Sequence, residues 1–176
     1  MKRLEVKKGL KRVLWGLLVI LIIGFALPQD IQMPVVGADA GDFNKKSFWF
    51  FPWGKSGTHK GVDIFAKKGT PIKAATGGWV LRAGENELGG KVLVILGPKW
   101  RIHYYAHLDE ISVSRFQWVN HETLIGTVGD SGNAKGKAPH LHYSIATLIP
   151  YPWLIDKSPQ GWKKMFYLDP IPHLKD

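Results

Sequence analysis

The stretch GKAPHLHYSI at residues 136–145 places two imidazoles two positions apart inside an apolar run. In a β-strand, residues i and i+2 point to the same face of the sheet. We therefore expect His140 and His142 to project together, while Leu141 and Tyr143 point to the opposite face. Two neighbouring nitrogen ligands indicate a metal site, although an isolated His-x-His pair is equally explained by a strand with histidines on its solvent face.

A second motif, THKGVDI at residues 58–64, adds an imidazole and a carboxylate. In an extended segment His59, Gly61 and Asp63 share one face, and the glycine leaves room for an ion between the two side chains. The β-branched residues that follow the glycine favour a strand over a helix. Alone, this pattern also fits a surface His and Asp beside a turn. Together with the His-x-His pair it supplies two histidines and a carboxylate, the ligand set of a catalytic zinc site that keeps one position for water.

Another histidine, His107, closes a predicted strand and is expected to reach the same groove. A hydrolytic zinc site also needs a group that takes the proton of water and one that stabilises the oxyanion, and His107 and His140 are the candidates. The pKa of zinc-bound water is about 7 and that of histidine about 6.5, so proton transfer between them is nearly balanced.

His103, which shares the predicted strand face of His107, is interpreted as structural. Three loop carboxylates are candidates to hold a ligand imidazole by hydrogen bonding: Glu85, Glu87 and Asp130.

From residue 57 onward, short Val- and Ile-rich runs alternate with glycine turns, a pattern typical of an all-β domain. No segment of residues 57–146 has a helical period. The aromatic run FWFFPW at residues 48–53 is interpreted as core, with a groove wall as the alternative. Residues 150–176 are expected to pack irregularly across the sheet. The predicted strands are 71–75, 79–83, 91–96, 100–107, 124–128 and 140–146.

Composition limits the function classes. The chain has 176 residues, enough for one core, and no cysteine, which excludes disulfides, thiolate metal sites and a cysteine nucleophile. Half of the formal net charge of +10 falls in residues 1–12. The remaining weak basicity suits a domain that works near anionic wall polymer or lipid headgroups, and we expect no nucleic-acid partner.

The N-terminal region is expected to be a targeting segment. Residues 13–27 form an uncharged apolar run preceded by six basic residues, which places the N-terminus in the cytoplasm and the rest of the chain outside. As a helix the run spans roughly 23 Å, less than the roughly 30 Å of a hydrocarbon core, which favours a signal peptide. The lack of a well-placed small-residue cleavage site favours a retained anchor, the alternative we prefer. Residues 1–27 are thus a signal peptide or signal anchor, 28–47 a linker, and 48–176 an extracytoplasmic domain with its motifs at 57–146.

An ordered series of motifs carries a resemblance to a known family. They are HKGVDI at 59–64, GTPIKAA at 69–75, GWV at 78–80, GGKVLV at 89–94, YAHL at 105–108, IGTVG at 125–129 and PHLHY at 139–143. In order and spacing the chain resembles the lysostaphin-like zinc endopeptidases of peptidase family M23, also called the LytM domain.

The resemblance implies a mostly antiparallel β-sheet with a loop-walled groove, preceded here by one hydrophobic helix. It also implies cleavage of peptide bonds in peptidoglycan stem peptides or cross-bridges, by a monomer with one Zn²⁺ per domain. Two alternatives are a non-enzymatic regulator of other wall hydrolases and a protease of extracytoplasmic proteins. The residues that match the family's functional positions are His59, Asp63 and His142 as zinc ligands, His107 and His140 as catalytic histidines, and Tyr105 as a substrate contact.

Overall fold

The computed structural model describes residues 2–174 and contains one long helix, α1 (Lys2–Ala26), followed by a nine-stranded sheet. Six of the strands fall where the alternation of apolar runs and glycine turns predicts them. Two of the others, β6 and β9, are only two residues long and leave no readable pattern. The strands are β1 (Val62–Phe65), β2 (Pro71–Lys73), β3 (Gly78–Asn86), β4 (Gly90–Leu96), β5 (Arg101–Ile111), β6 (Trp118–Val119), β7 (Leu124–Val128), β8 (His140–Thr147) and β9 (Tyr167–Leu168).

The strands follow the order β1-β8-β5-β4-β3-β6, while β2 pairs with β7, β7 also with β5, and β9 with β8. All these pairs are antiparallel. The expectation of a mostly antiparallel β domain behind one apolar helix is therefore confirmed. At the centre of the sheet, the register sets Ala106 of β5 beside His142 of β8, and His142 beside Asp63 of β1.

The two faces of the sheet have different environments. One face forms the core, where Leu93, Ile95, Tyr105 and Tyr143 are fully buried together with aliphatic side chains from the flanking strands. Residues that alternate with these line an open cleft on the other face. Burial of the apolar side chains supplies the main stabilisation of the domain, at about 25 cal/mol per Å² of apolar surface removed from water.

Residues 28–47, expected to be a linker, instead belong to the folded domain. Ile31, Val35 and Phe43 are at least nine-tenths buried in the same core as the sheet. Backbone hydrogen bonds of 2.8 and 3.0 Å join this segment to β2. The segment crosses the edge of the sheet in an irregular extended path and buries one apolar side chain at a time, so its sequence shows no period.

Helix α1 exposes its apolar side chains to the surroundings of the domain. Its segment Lys8–Ala26 has 19 residues and a mean hydropathy of 1.9. Such a helix rises about 28 Å, close to the roughly 30 Å of a hydrocarbon core. By length and composition it can cross a membrane, and a signal sequence near an N-terminus meets the same description.

Candidate metal centre

Three side chains from the two sequence motifs converge at the middle of the cleft. Asp63 and His142 are cross-strand neighbours on β1 and β8, and His59 lies just before β1. Asp63 Oδ1 lies 2.8 Å from His142 Nδ1 and 3.0 Å from His59 Nε2, and the two imidazole nitrogens are 3.1 Å apart. The structure thus brings together the three residues that the sequence predicts as metal ligands.

The hydrogen bonding of His59 indicates what belongs between these atoms. Its Nδ1–H donates to the carbonyl oxygen of Ser47 at 3.0 Å, so Nε2 is the nitrogen that faces the carboxylate oxygen of Asp63. Together with His142 Nδ1, this places two imidazole nitrogens and a carboxylate oxygen within 3.1 Å of one another, close enough to share one metal ion. A backbone carbonyl that fixes the tautomer of a metal-binding histidine is a common feature of zinc sites, and the donor set fits Zn²⁺.

Electrostatics keep this site ready to bind a cation. Burial alone would raise the pKa of Asp63, but the hydrogen bonds with His142 and His59 outweigh it and hold the pKa well below its usual range. Burial lowers the pKa of His142, against the opposing effect of Asp63. At neutral pH the pocket therefore presents a carboxylate and unprotonated imidazole nitrogen, the forms in which these side chains bind metals.

Gly61, between two of the ligands, is required by close packing. A Cβ atom at this position would overlap the carbonyl oxygen of Tyr143 and lie 3.0 Å from His142 Nε2. Any larger residue would push β8 and its ligand away from β1, so the glycine serves the packing of these strands, whereas the sequence predicted that it leaves room for an ion.

Two further histidines face each other beside the three ligands. The ring centroids of His107 and His140 are 4.9 Å apart, and His140 Nε2 is 4.0 Å from the second oxygen of Asp63. The Nδ1–H groups donate to backbone carbonyls, that of His107 to Ser131 at 2.9 Å and that of His140 to Ala138 at 2.8 Å. The Nε2 atom of each ring is thereby left facing the cleft.

The sequence model of peptidase family M23 matches residues 57–151, more than half of the chain. The chain belongs to peptidase family M23. An L-Ala–D-Glu endopeptidase of Bacillus subtilis is 34% identical over 143 residues, which cover 76% of this chain and 40% of that protein. The peptidoglycan DD-endopeptidase ShyC of Vibrio cholerae is 35% identical over 110 residues, covering 59% of this chain and 25% of that protein. The chain thus spans less than half the length of these relatives.

Solved structures agree with this assignment. The catalytic domain of lysostaphin from Staphylococcus simulans superposes with a TM-score of 0.61 at 27% identity, covering 79% of this chain and 99% of that domain. A structure from Ruminococcus gnavus that is described as a glycyl-glycine endopeptidase LytM also superposes with a TM-score of 0.61. It is 26% identical, and the match covers 82% of this chain and 59% of that protein chain. The resemblance to lysostaphin-like peptidases is confirmed.

One residue of this M23 domain lies elsewhere than expected. Tyr105, predicted to contact substrate, is fully buried in the core, where its hydroxyl accepts a hydrogen bond from the Ala75 N–H at 2.9 Å. Burial raises the pKa of Tyr105, so its hydroxyl stays protonated. The expected substrate contact is therefore wrong. Its neighbour Tyr104 lines the cleft instead, with its ring centroid 6.3 Å from that of His142.

The backbone of His107 explains this error. His107 has φ 64°, the left-handed region that residues other than glycine rarely adopt, and β5 continues beyond it to Ile111. In a regular strand His107 would share the face of His103 and Tyr105 and point into the core. The left-handed conformation turns its imidazole into the cleft, at a cost of about 1–3 kcal/mol that the surrounding sheet must offset.

Aromatic rings form the walls of the M23 cleft, which has a volume of about 820 Å³. The run at residues 48–53 contributes to both predicted environments: Trp49 is buried, whereas the ring of Trp53 lies against His59 with centroids 4.2 Å apart. Phe65, which the sequence reasoning missed, lies 5.3 Å from the ring of His140. The same two-residue period that aligns the ligands would have found it, because Phe65 follows Asp63 by two positions.

Two of the three carboxylates proposed as partners of the imidazoles pair with lysines instead. Asp130 pairs with Lys68 at 3.0 Å and Glu87 with Lys55 at 3.5 Å, and both pairs are at the surface. The side chain of Glu85 is not among the hydrogen-bond partners of the five site residues in the described chain. Backbone carbonyls hold three of the imidazoles instead, a role for which side-chain identity leaves no signal.

Proposed function

We propose that the chain is a zinc-dependent endopeptidase that hydrolyses peptide bonds in peptidoglycan stem peptides or cross-bridges. The observation that carries the proposal is the convergence of His59 Nε2, a carboxylate oxygen of Asp63 and His142 Nδ1 within 3.1 Å of one another. These three side chains would hold one Zn²⁺ per domain. The names of two relatives, an L-Ala–D-Glu endopeptidase and a peptidoglycan DD-endopeptidase, support the substrate class.

Zn²⁺ bound there would polarise the scissile carbonyl and lower the pKa of its water to about 7. The chain's own residues handle the protons. Burial lowers the pKa of His107 to about 4, so its ring is neutral at pH 7 and its Nε2 can accept a hydrogen bond from water. Proton transfer from water with a pKa of about 7 to this ring is uphill, and not nearly balanced as the ordinary pKa of histidine predicts. Once protonated, either His107 or His140 donates from Nε2 to the developing oxyanion or to the leaving amine.

The cleft suits an extended peptide that carries carboxylates. Its aromatic walls, formed by Trp53, Phe65 and Tyr104, exclude water from the backbone of a bound chain. Its rim carries Lys55, Lys60 and Lys137. Stem peptides combine small side chains with free carboxylates, which the lysines would attract and the narrow aromatic walls would accommodate.

We further propose that the domain works outside the cytoplasmic membrane, in the periplasm or on the cell-wall side, with α1 as its anchor. The charge asymmetry and the 19-residue apolar segment support this orientation. Peptidoglycan and the membrane are then its two partners.

Mass spectrometry of fragments released from purified peptidoglycan tests the activity. The zinc-loaded chain should release peptides with one new amino terminus each, and the His107→Ala variant should release far fewer. Cleavage of an unfolded polypeptide without release from the wall would identify a protease of extracytoplasmic proteins instead. A zinc-loaded chain that cuts neither substrate would be a regulator and would overturn the proposal.

A further inference from the structure

A row of paired residues crosses the sheet at the end away from the metal centre. It runs from Trp118 on β6 through Trp79 on β3 and Leu96 on β4 to Ile102 on β5 and Ala146 on β8. Both tryptophans are more than half exposed, and their rings meet edge to face with centroids 5.3 Å apart. Only a larger contiguous apolar patch indicates contact with another molecule or a membrane, so the neighbours of this pair decide what it means.

The apolar exposure continues beside this row. Leu148, two residues past Ala146, is 59% exposed, and its N–H donates to the carbonyl of Trp100 at 3.1 Å. Exposed apolar side chains of β3, β6 and the segment that follows β8 therefore share the end of the sheet that carries the turn between β4 and β5.

That turn contacts helix α1. The indole Nε1–H of Trp100 donates to the carbonyl of Leu21 at 3.0 Å, and the ring covers Gly24, where a Cβ atom would overlap it. Lys99 Nζ lies 3.4 Å from the carbonyl of Phe25, a favourable place for a cation near a helix C-terminus. Lys99 and Trp100 both adopt left-handed backbone conformations, with φ 59° and 57°, and so hold the indole against the helix.

The contact fixes the level of the turn along the helix. Leu21 lies five residues, about 7.5 Å, before the end of α1. Trp100 thus lies beside the outermost part of the apolar helix, the depth at which tryptophan and lysine side chains concentrate in membrane proteins.

We propose that this end of the domain lies in the headgroup layer of the same phospholipid bilayer that α1 spans, with Trp79, Trp118 and Leu148 in contact with lipid. Continuity with the apolar helix identifies lipid, rather than a second copy of the chain, as the occupant. The proposal rests on retention of α1 and not on peptidase activity. The row Ala106–His142–Asp63 lies four strand residues, at most about 13 Å, beyond the row through Ile102, and Ile102 and Ala146 also line the cleft, so the cleft extends from the metal centre toward the membrane surface.

The absence of cysteine from the chain makes a direct test possible. Trp118→Cys and Leu148→Cys each carry one bimane label. Leu88→Cys is the control, because Leu88 is also exposed but lies in the turn that joins β3 to β4, at the opposite end of these strands. The full chain is reconstituted in phosphatidylethanolamine–phosphatidylglycerol vesicles, either with lipids brominated near the carbonyl or with iodide in the buffer. Circular dichroism checks that each labelled chain is folded.

Labels at residues 118 and 148 should lose most of their fluorescence to brominated lipid and little to iodide, and the label at residue 88 should show the reverse. Adding Trp100→Ala should abolish the bromolipid quenching at both positions while the chain still sediments with the vesicles. Labels at 118 and 148 that iodide quenches as fully as the control would overturn the proposal. Labels shielded from both quenchers would indicate that a protein covers this surface, which would also overturn the proposal. Recovery from cells of a chain that lacks residues 1–26 would overturn it as well, because α1 would then not be retained.

Discussion

The two faces of the β5–β8 pair both carry imidazoles but satisfy them differently. On the core face, His103 Nδ1 bonds the hydroxyl of Tyr143 at 2.7 Å and His103 Nε2 bonds the amide of Gln29 at 3.0 Å. On the cleft face, His107 and His140 give one nitrogen to a backbone carbonyl and keep the other for the cleft. A histidine with both nitrogens occupied by the protein stabilises the fold, whereas one held on a single side is available for chemistry.

Titration does not separate the two classes. Burial lowers the pKa of His103 to about 3 and that of His107 to about 4, so both rings are neutral at pH 7. The difference lies in what the second nitrogen meets. The pair His103 and His107 therefore offers a matched comparison on one strand.

Within this pair, replacing His107 should have by far the larger effect on catalysis. His107→Ala removes a proton acceptor at the reacting atoms and should lower kcat on peptidoglycan by about 100-fold or more. His103→Gln keeps hydrogen-bonding capacity in the core and should keep kcat per folded molecule within a few-fold of the parent. The comparison fails if His103→Gln lowers kcat as much as His107→Ala does.

Acid should destabilise the fold through His103. Its pKa is lower in the folded state than the ordinary value of 6.5, so the unfolded chain binds more protons and the free energy of unfolding falls as pH drops from about 6.5 toward 3. The loss that depends on His103 should be on the order of 3 kcal/mol. Urea unfolding of the parent and of His103→Gln at pH 7 and pH 4.5 measures it. Equal acid sensitivity in the two proteins would show that His103 contributes nothing.

Tyr143→Phe should have a smaller effect, confined to stability. It removes the hydroxyl that bonds His103 Nδ1 and leaves a buried polar atom without its partner, at a cost of about 1–3 kcal/mol. Thermal unfolding should show a lower Tm, with unchanged zinc content. A variant as stable as the parent would mean that the buried network is dispensable.

Much of the site follows from the sequence because it rests on regular strands. The two-residue period places His140 with His142, and antiparallel pairing of β1 and β8 sets Asp63 beside His142. His59 lies before β1 and reaches the same site from outside the regular strand. The predicted strands are present for the same reason, since each is an apolar run between turns.

The parts that the sequence did not predict depend on irregular backbone. The left-handed conformation of His107 interrupts the alternation of side chains along β5. His107 therefore faces the cleft together with Tyr104, while Tyr105 is buried in the core. No local residue type signals this, because the conformation is imposed by the surrounding sheet, where the pairing of β5 with β7 also shifts register after Leu108. Residues 28–47 were misjudged for a similar reason, as an irregular segment buries its side chains without a period.

The most direct test of the account compares the two histidines of the HLH motif by zinc content and turnover in the same preparations. His142 is assigned to the metal with His59 and Asp63, and His140 to proton transfer with His107. His142→Ala should therefore lose both zinc and peptidase activity, while His140→Ala should keep most of its zinc and lose turnover. Equal loss of zinc from the two variants would contradict the division of roles.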